Sequence, residues 1–181
     1  MALSGALAAL LLPGPNHGYE LHLTLEAELG SSWLTRPAQV YLTLGRMQRD
    51  GLVTSERIHQ ETRPDRQRLT LTEAGCRLAE QWLLAGPADE IVVRLAVARL
   101  VAPDRLPAIA AAMIEERSAS LHRLRAARAD DAGGFRAEAR DAQIGAVEAQ
   151  LRWLEGVRGH LDEIAARPRA RLTDERAVES A

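Results

Sequence analysis

The sequence has no lysine, one cysteine and few aromatic residues, and each of these scarcities excludes something. The single cysteine, Cys76, excludes an internal disulfide and a multi-cysteine metal site. The longest strongly apolar stretch, Ala6 to Leu12, is too short to cross a bilayer, and no basic leader precedes it. We therefore expect neither a membrane span nor a signal peptide, and a cytoplasmic location. The 23 basic groups, all arginine, nearly balance 25 acidic groups, so no excess of positive charge covers the whole molecule.

Positive charge is nevertheless concentrated in one part of the chain. Residues 1–30 hold no arginine and three acidic residues, whereas residues 31–77 hold eight arginines against five acidic residues, a net of +3. If nucleic acid is the partner of this protein, this region is where the contact is expected. The total of 181 residues allows one or two small domains.

Hydropathy and turn residues predict a mainly helical chain with one small β-hairpin. Three helices are predicted over residues 3–12, 17–29 and 37–51, and Gly30 and Pro37 are typical of a helix end and a helix start. Two strands follow over residues 52–60 and 67–71. Thr72 then has the features of an N-cap, with Glu73 in the first turn of the next helix.

The third helix has two distinct faces. Val40, Leu44 and Met47 form one apolar stripe, which we predict to be buried. The complementary stripe is polar and can reach base edges and phosphates in a major groove; it comprises Gln39, Thr43, Arg46 and Asp50, with Arg36 and Arg49 close by. The alternative is the solvated face of an ordinary helix.

The hairpin after this helix has an arginine-rich tip, comprising Arg63, Arg66 and Arg68. Three helices, a hairpin and a further helix form the order of a winged helix-turn-helix. In such a module the third helix enters the groove and the hairpin reaches the neighbouring phosphates. The alternative is that the hairpin arginines only pair with Asp65, Glu61 or Glu56 at the surface, which contributes little to stability.

The C-terminal half is predicted to be helical, with helices over residues 89–101, 106–128 and 135–166. The last helix carries a regular apolar seam that suits pairing with a second copy of the chain; it comprises Ile144, Val147, Leu151, Leu154, Leu161 and Ile164. The alternative is an intramolecular hairpin with the preceding helix. We predict a winged helix-turn-helix DNA-binding domain over residues 1–86, a helical dimerisation domain over residues 87–167 and a solvated tail over residues 168–181.

The sequence contains no recognisable catalytic or metal-binding motif. There is no nucleophile elbow, phosphate-binding glycine loop or zinc-binding His-Glu helix, and the five histidines lack ligand spacing. We therefore expect no enzyme, no metal and no cofactor. Trp82 and Trp153 are candidates for lining an effector cavity, because an indole offers flat apolar area with one polar group; the alternative is that both belong to the core.

Four ordered motifs resemble the PadR family of bacterial transcriptional regulators. They are Gly14-Pro15-Asn16-His17-Gly18-Tyr19-Glu20-Leu21, Gln39-Val40-Tyr41-Leu42-Thr43-Leu44, Arg49-Asp50-Gly51-Leu52-Val53 and Leu71-Thr72-Glu73-Ala74-Gly75. The resemblance covers roughly residues 3–86. Leu42 stands where that family usually has proline, and Leu69 where an aromatic residue is common.

The resemblance implies a homodimeric winged-helix regulator, often a repressor released from DNA by a small molecule. It also places Tyr41 on the recognition helix beside the DNA backbone; the alternative is that Tyr41 packs beside the buried stripe with its hydroxyl at the surface. From their positions we expect His17 to cap the second helix and Tyr19 to be partly buried.

The sequence as a whole predicts a sequence-specific regulator that binds a palindromic operator in double-stranded DNA as a homodimer. The alternative is a dimeric adaptor whose winged helix contacts another protein.

Overall fold

The structure is a computed structural model that describes residues 2–30, 36–59, 66–131 and 133–166. The described residues are mainly helical with one small sheet, which confirms the predicted fold class. They divide into two compact units, one reaching to Pro103 and the other beginning at Asp104. The predicted tail over residues 168–181 lies outside the described residues.

The first unit combines five helices with a three-stranded sheet in its described part. Its elements are α1 (Ala2–Leu10), β1 (Asn16–His17), α2 (Gly18–Leu29), α3 (Pro37–Arg49), β2 (Val53–Ile58), β3 (Arg66–Leu71), α4 (Glu73–Ala85) and α5 (Ile91–Val101). Helix α1 packs against α3, α4 and α5, and its run from Ala6 to Leu10 is buried throughout. A helix that is apolar on every side belongs at the centre of a core, which is where α1 lies.

The sheet is antiparallel, with β3 between β1 and β2. The sequence predicted β2 and β3 but not β1, because two residues are too few to show an alternating pattern. His17 belongs to β1, and its Nδ1 lies 2.9 Å from the carbonyl oxygen of Gln67. His17 also precedes α2, but its side chain makes no capping hydrogen bond there. The expectation that its ring caps the helix is therefore wrong; the ring contacts the backbone of strand β3 instead.

Helix boundaries follow the local residues that predicted them. Gly30 ends α2 with a φ of 70°, a conformation that favours glycine. Pro37 lies in the first turn of α3. Thr72 is the N-cap of α4, and its Oγ1 accepts a hydrogen bond from the Gly75 amide at 3.2 Å. These boundaries fix where α2 ends, where α3 begins and where the wing formed by β2 and β3 gives way to α4.

Polar side chains are buried where α5 joins the rest of the first unit. Arg94 is fully buried and donates to the carbonyl oxygens of Leu83 at 3.0 Å and Gly86 at 2.8 Å. Arg99 forms a largely buried ion pair with Glu28 and so connects α5 to α2. Although we predicted a domain boundary at residue 86, α5 packs against α1, α2 and α4 within the first unit. A functional division of the chain at that point stays a prediction.

The second unit contains α6 (Leu106–Ala129), α7 (Phe135–Arg158) and α8 (Leu161–Ala166). The predicted single helix over residues 135–166 is interrupted at Gly159 and His160, so that α8 is a separate short helix. Helices α6 and α7 pack along one another. The ion pairs Arg125–Glu148 and Arg128–Asp141 connect them at the surface, and the more buried pair Arg140–Asp131 connects α7 to the loop after α6. The hydrogen bond from Arg128 to Asp141 raises the pKa of that guanidinium.

The predicted dimerisation seam is largely used within the chain itself. Val147, Leu154 and Leu161 are buried, and Ile144, Leu151 and Ile164 are half-buried. The intramolecular α6–α7 hairpin, which was the alternative interpretation, is therefore formed.

A different face of α7 remains uncovered. It carries exposed small and apolar residues at spacings of three and four, which we call the outer stripe; it comprises Phe135, Ala139, Ala142, Ala146, Ala149, Trp153 and Gly156. Phe135 is 87% exposed at the start of this stripe.

Candidate nucleic-acid interface

The buried face of α3 contains the three predicted apolar residues and one polar residue. Val40, Leu44 and Met47 are buried as expected. Thr43 is only 8% exposed, and its hydroxyl donates to the Gln39 carbonyl oxygen at 2.8 Å. The prediction that Thr43 points outward with Gln39 is therefore wrong. Its hydroxyl is satisfied by the helix backbone, which makes its burial inexpensive.

The outward face of α3 is rotated by about one residue from the predicted one. Its centre line consists of residues one turn apart, namely Ala38, Leu42, Gly45 and Arg49. Gln39 and Arg46 lie along one edge, and Tyr41 and Gln48 lie along the other. All four edge residues are exposed, so the edges carry the polar groups that can reach base edges or phosphates.

Two contacts fix α3 against its neighbours. The Gln48 Nε2 donates to the Ser55 hydroxyl at 2.8 Å, which connects the helix to strand β2 of the wing. At the other side, a Cβ on Gly18 would lie 2.9 Å from Leu44 and 3.0 Å from the Tyr41 ring. Glycine at this position therefore allows α3 to approach the start of α2 closely.

A cavity of about 340 Å³ opens at the start of α2. Its lining includes His17, Tyr19, Tyr41 and Arg66, which come from α2, α3 and the sheet. Tyr19 is 57% exposed, so the expectation that it is partly buried in the core is wrong. Two tyrosines and an arginine thus surround the N-terminal end of a helix, where the helix dipole favours a negative group; Glu20, in the first turn of α2, also lines the cavity and places one carboxylate there.

The wing contributes arginines from its central strand. Arg66 and Arg68 are two residues apart, so they extend from the same face of β3, and both are half-exposed. Glu56 lies directly opposite Arg68 on β2, which places one acidic group beside this arginine. Arg63, the third predicted arginine of the hairpin, lies outside the described residues.

Three further arginines lie in α3 or directly before it. Arg36 is exposed immediately before the helix, and Arg46 and Arg49 are exposed in its last turn. Cations at that end also stabilise the helix dipole, so they have a structural role besides any contact with phosphate. Arg66 and Arg68 of the wing add two more arginines to those of α3.

The two predicted effector residues lie in different units. Trp82 is buried, its ring is in contact with Gly5, and its Nε1 donates to Glu90. It lines a cavity of about 200 Å³ between α1 and α4. Trp153 is 37% exposed on the outer stripe of α7. The core interpretation is therefore correct for Trp82, and its polar group is already bound within the protein.

No three His, Cys, Asp or Glu side chains in the described part of the chain are grouped so that they could hold a metal ion. Among the same residues, no helix is long and apolar enough to span a membrane.

Most of the first unit is similar to a known protein family. Residues 7–81 match the Transcriptional regulator PadR-like family. The negative transcriptional regulator PadR of Bacillus subtilis (strain 168) is 29% identical over 82 residues, which are 45% of this chain and 45% of that protein. The match therefore spans less than half of the relative's length.

Solved structures of the same Bacillus subtilis protein are similar over most of the chain. PadR in complex with operator DNA is 19% identical, with a TM-score of 0.44 over 89% of this chain and 99% of that one. PadR in complex with p-coumaric acid is also 19% identical, with a TM-score of 0.38 over 90% and 99% of the two chains.

Proposed function

Residues 7–81 of this chain match the PadR-like family of transcriptional regulators, and from this premise we propose that the protein binds operator DNA as a homodimer. The observation that carries the proposal is the surface around α3. Exposed polar side chains line both edges of this helix, and arginines from α3 and the wing flank it. A surface of this composition matches a major groove and its two phosphate backbones.

Gln39 and Arg46 are the base-reading residues in this proposal. Both are exposed on the same edge of α3, and glutamine and arginine can each form two hydrogen bonds to a base edge in the major groove. Thr43 has another role, because its hydroxyl is bound to the Gln39 carbonyl and the residue is buried. It supports the backbone that carries Gln39.

The cavity at the start of α2 is the proposed phosphate site. The backbone amides at the N-terminal end of α2, the hydroxyls of Tyr19 and Tyr41 and the Arg66 guanidinium can all donate to phosphate oxygens. Arg36, Arg49 and Arg68 extend the positive surface on either side. These contacts position the protein on the duplex and carry no sequence information themselves.

Salt dependence of DNA binding tests this assignment. With these four arginines per protomer at phosphates, the log–log slope of affinity against salt should be about −7 for the dimer. Arg66→Ala should reduce the magnitude of that slope by about 2 per dimer and weaken all sequences alike. Arg77→Ala is the matched control, because Arg77 is exposed on α4 and paired with Glu73.

The measurement is a filter-binding or anisotropy titration at several salt concentrations. The duplex should first be selected from random sequences with the purified full chain. A slope near zero, or no enrichment of any sequence, contradicts DNA binding and supports the adaptor alternative. Under the proposal, the selected duplex contains two half-sites in inverted repeat.

The homodimer is proposed to form through the outer stripe of α7. This stripe is apolar, exposed and free of charged residues along seven positions, and small side chains allow two helices to approach closely. A symmetric pair would present two α3 helices to half-sites about 34–36 Å apart. The seam that the sequence predicted is already covered by the α6–α7 hairpin, so the stripe is the better candidate.

Ala146→Glu should convert the dimer into a monomer, because the substitution places a charge at the centre of a closely packed apolar contact. Sedimentation equilibrium at micromolar concentration would measure the change. Gln143→Glu adds the same charge at an exposed position of α7 outside the stripe and should leave the dimer intact. Dimers of equal stability in both variants would place the interface elsewhere.

We further propose that the protein represses transcription and that a small molecule releases it from DNA. Of the two cavities described in the first unit, the one beside Trp82 has the more apolar lining, and it is the space that we propose for an effector. Its volume of about 200 Å³ limits it to a small compound. A small apolar acid added to the DNA complex should increase the dissociation rate in the natural protein and have less effect in Trp82→Phe.

A further inference from the structure

Leu42 lies in an unusual place for a leucine. It is 58% exposed in the middle of the outward face of α3, with Ala38 one turn before it and Gly45 one turn after it. The side chains able to form hydrogen bonds lie along the two edges of the face. The stretch of the centre line from Ala38 to Gly45 therefore presents only hydrocarbon and backbone, and Leu42 projects farthest from it.

Gly45 indicates that this stretch is approached closely from outside. Its φ is not positive, and a Cβ there would meet only the end of the Arg49 side chain, at 3.8 Å. Nothing inside the described protein therefore requires glycine at this position, although glycine makes a helix less stable than alanine does. A glycine that the fold does not need, beside an exposed leucine, is accounted for by a partner that lies against the helix.

We propose that Leu42 reads the 5-methyl group of a thymine in the major groove, and that Gly45 allows the helix to sit deep enough for this contact. The inference rests on the proposed DNA-binding function. Among the groups that base pairs expose in the major groove, the thymine methyl is the apolar one, and apolar side chains recognise it. Against a G·C pair the leucine would cover base donors and acceptors without satisfying them. Each half-site therefore contains a thymine opposite Leu42.

The test replaces each thymine of the selected duplex in turn by deoxyuridine, which removes the methyl group alone. At one position per half-site, binding should weaken about fourfold for one half-site, and about fifteenfold when both are changed, as expected for one buried methyl each. In Leu42→Ala the same replacement should have no effect, since the side chain that covers the methyl is gone. Leu84→Ala, at a leucine of similar exposure on α4, should keep the natural sensitivity.

Gly45→Ala provides an independent measurement. The variant should unfold at a higher denaturant concentration than the natural protein, because alanine favours a helix more than glycine does. It should also bind every DNA sequence about tenfold more weakly, because the added methyl prevents the close approach. A variant that is stabilised and binds with unchanged affinity contradicts the close approach.

The outcomes separate this inference from the function on which it rests. Absence of any selected sequence overturns DNA binding itself. A defined operator whose thymines all tolerate deoxyuridine overturns the role of Leu42 and leaves DNA binding standing. Sensitivity to deoxyuridine that persists in Leu42→Ala assigns the methyl contact to another side chain and also overturns the inference.

Discussion

Replacing Arg94 by methionine should lower the free energy of unfolding by about 2–5 kcal/mol. Arg94 is 0% exposed, and its guanidinium donates to the carbonyl oxygens of Leu83 and Gly86 at the end of α4. Methionine fills a similar volume but cannot donate, so two carbonyl groups lose their partner. A buried polar group without a partner costs about 1–3 kcal/mol. Removal of the buried charge offsets part of this cost.

Urea denaturation of the full chain, followed by far-ultraviolet circular dichroism, measures the effect. Arg77→Met is the matched control, because it removes an exposed arginine from α4 whose surface ion pair contributes little. That control should change the free energy of unfolding by less than about 0.5 kcal/mol. Equal midpoints for the two variants would show that the end of α4 does not depend on Arg94.

Replacing Gly75 by alanine should destabilise the first unit by up to about 2 kcal/mol, although alanine normally favours a helix. The added Cβ would lie 2.0 Å from the backbone oxygen of Leu52 and 2.8 Å from the Leu71 side chain. The Leu52 oxygen also accepts a hydrogen bond from the Thr72 amide at 3.0 Å, so it cannot retreat freely. Overpacking of this kind typically costs about 1–3 kcal/mol, and the gain in helix propensity is about 1 kcal/mol.

Gly145→Ala is the control for this prediction, because a Cβ at Gly145 would meet nothing within 4 Å. Both glycines lie in helices, yet the two substitutions should change the free energy of unfolding in opposite directions. Gly75→Ala should also weaken DNA binding, since Leu52 directly follows the turn that ends α3. A Gly75→Ala protein as stable as the Gly145→Ala protein would contradict this prediction. It would show that the junction between α3, β2 and α4 can rearrange around the added methyl group at little cost in free energy.

Much of the fold was predictable because its elements begin and end at residues with strong local preferences. Gly30, Pro37 and Thr72 have the positions that the sequence predicted for them. Strand β1 was missed because Asn16 and His17 are too short a segment to show alternation. The break between α7 and α8 was missed because the apolar spacing continues across Gly159 from Leu154 to Leu161, although Gly159 itself was a visible sign of a helix end.

The candidate site was predicted less well, and one residue accounts for most of the error. An exposed leucine at position 42 weakens the contrast between the two faces of α3, so hydropathy could not fix the rotation of the helix to better than one residue. The predicted exposed face of α3 consequently includes Thr43 and gives no role to Leu42. The position of Tyr19 at the start of the second helix predicts a partly buried side chain, whereas its actual place beside Tyr41 depends on the approach of α3 to Gly18, a tertiary contact.

The ion pair between Glu28 and Arg99 has a mechanical consequence for the first unit. Both side chains are largely buried, so sliding α5 past α2 would strand two opposite charges in a medium that cannot solvate them. We therefore expect the two helices to move together as one rigid body. A force applied to α5 is therefore expected to turn α2 with it and to move Tyr19, at the far end of α2, without unfolding either helix.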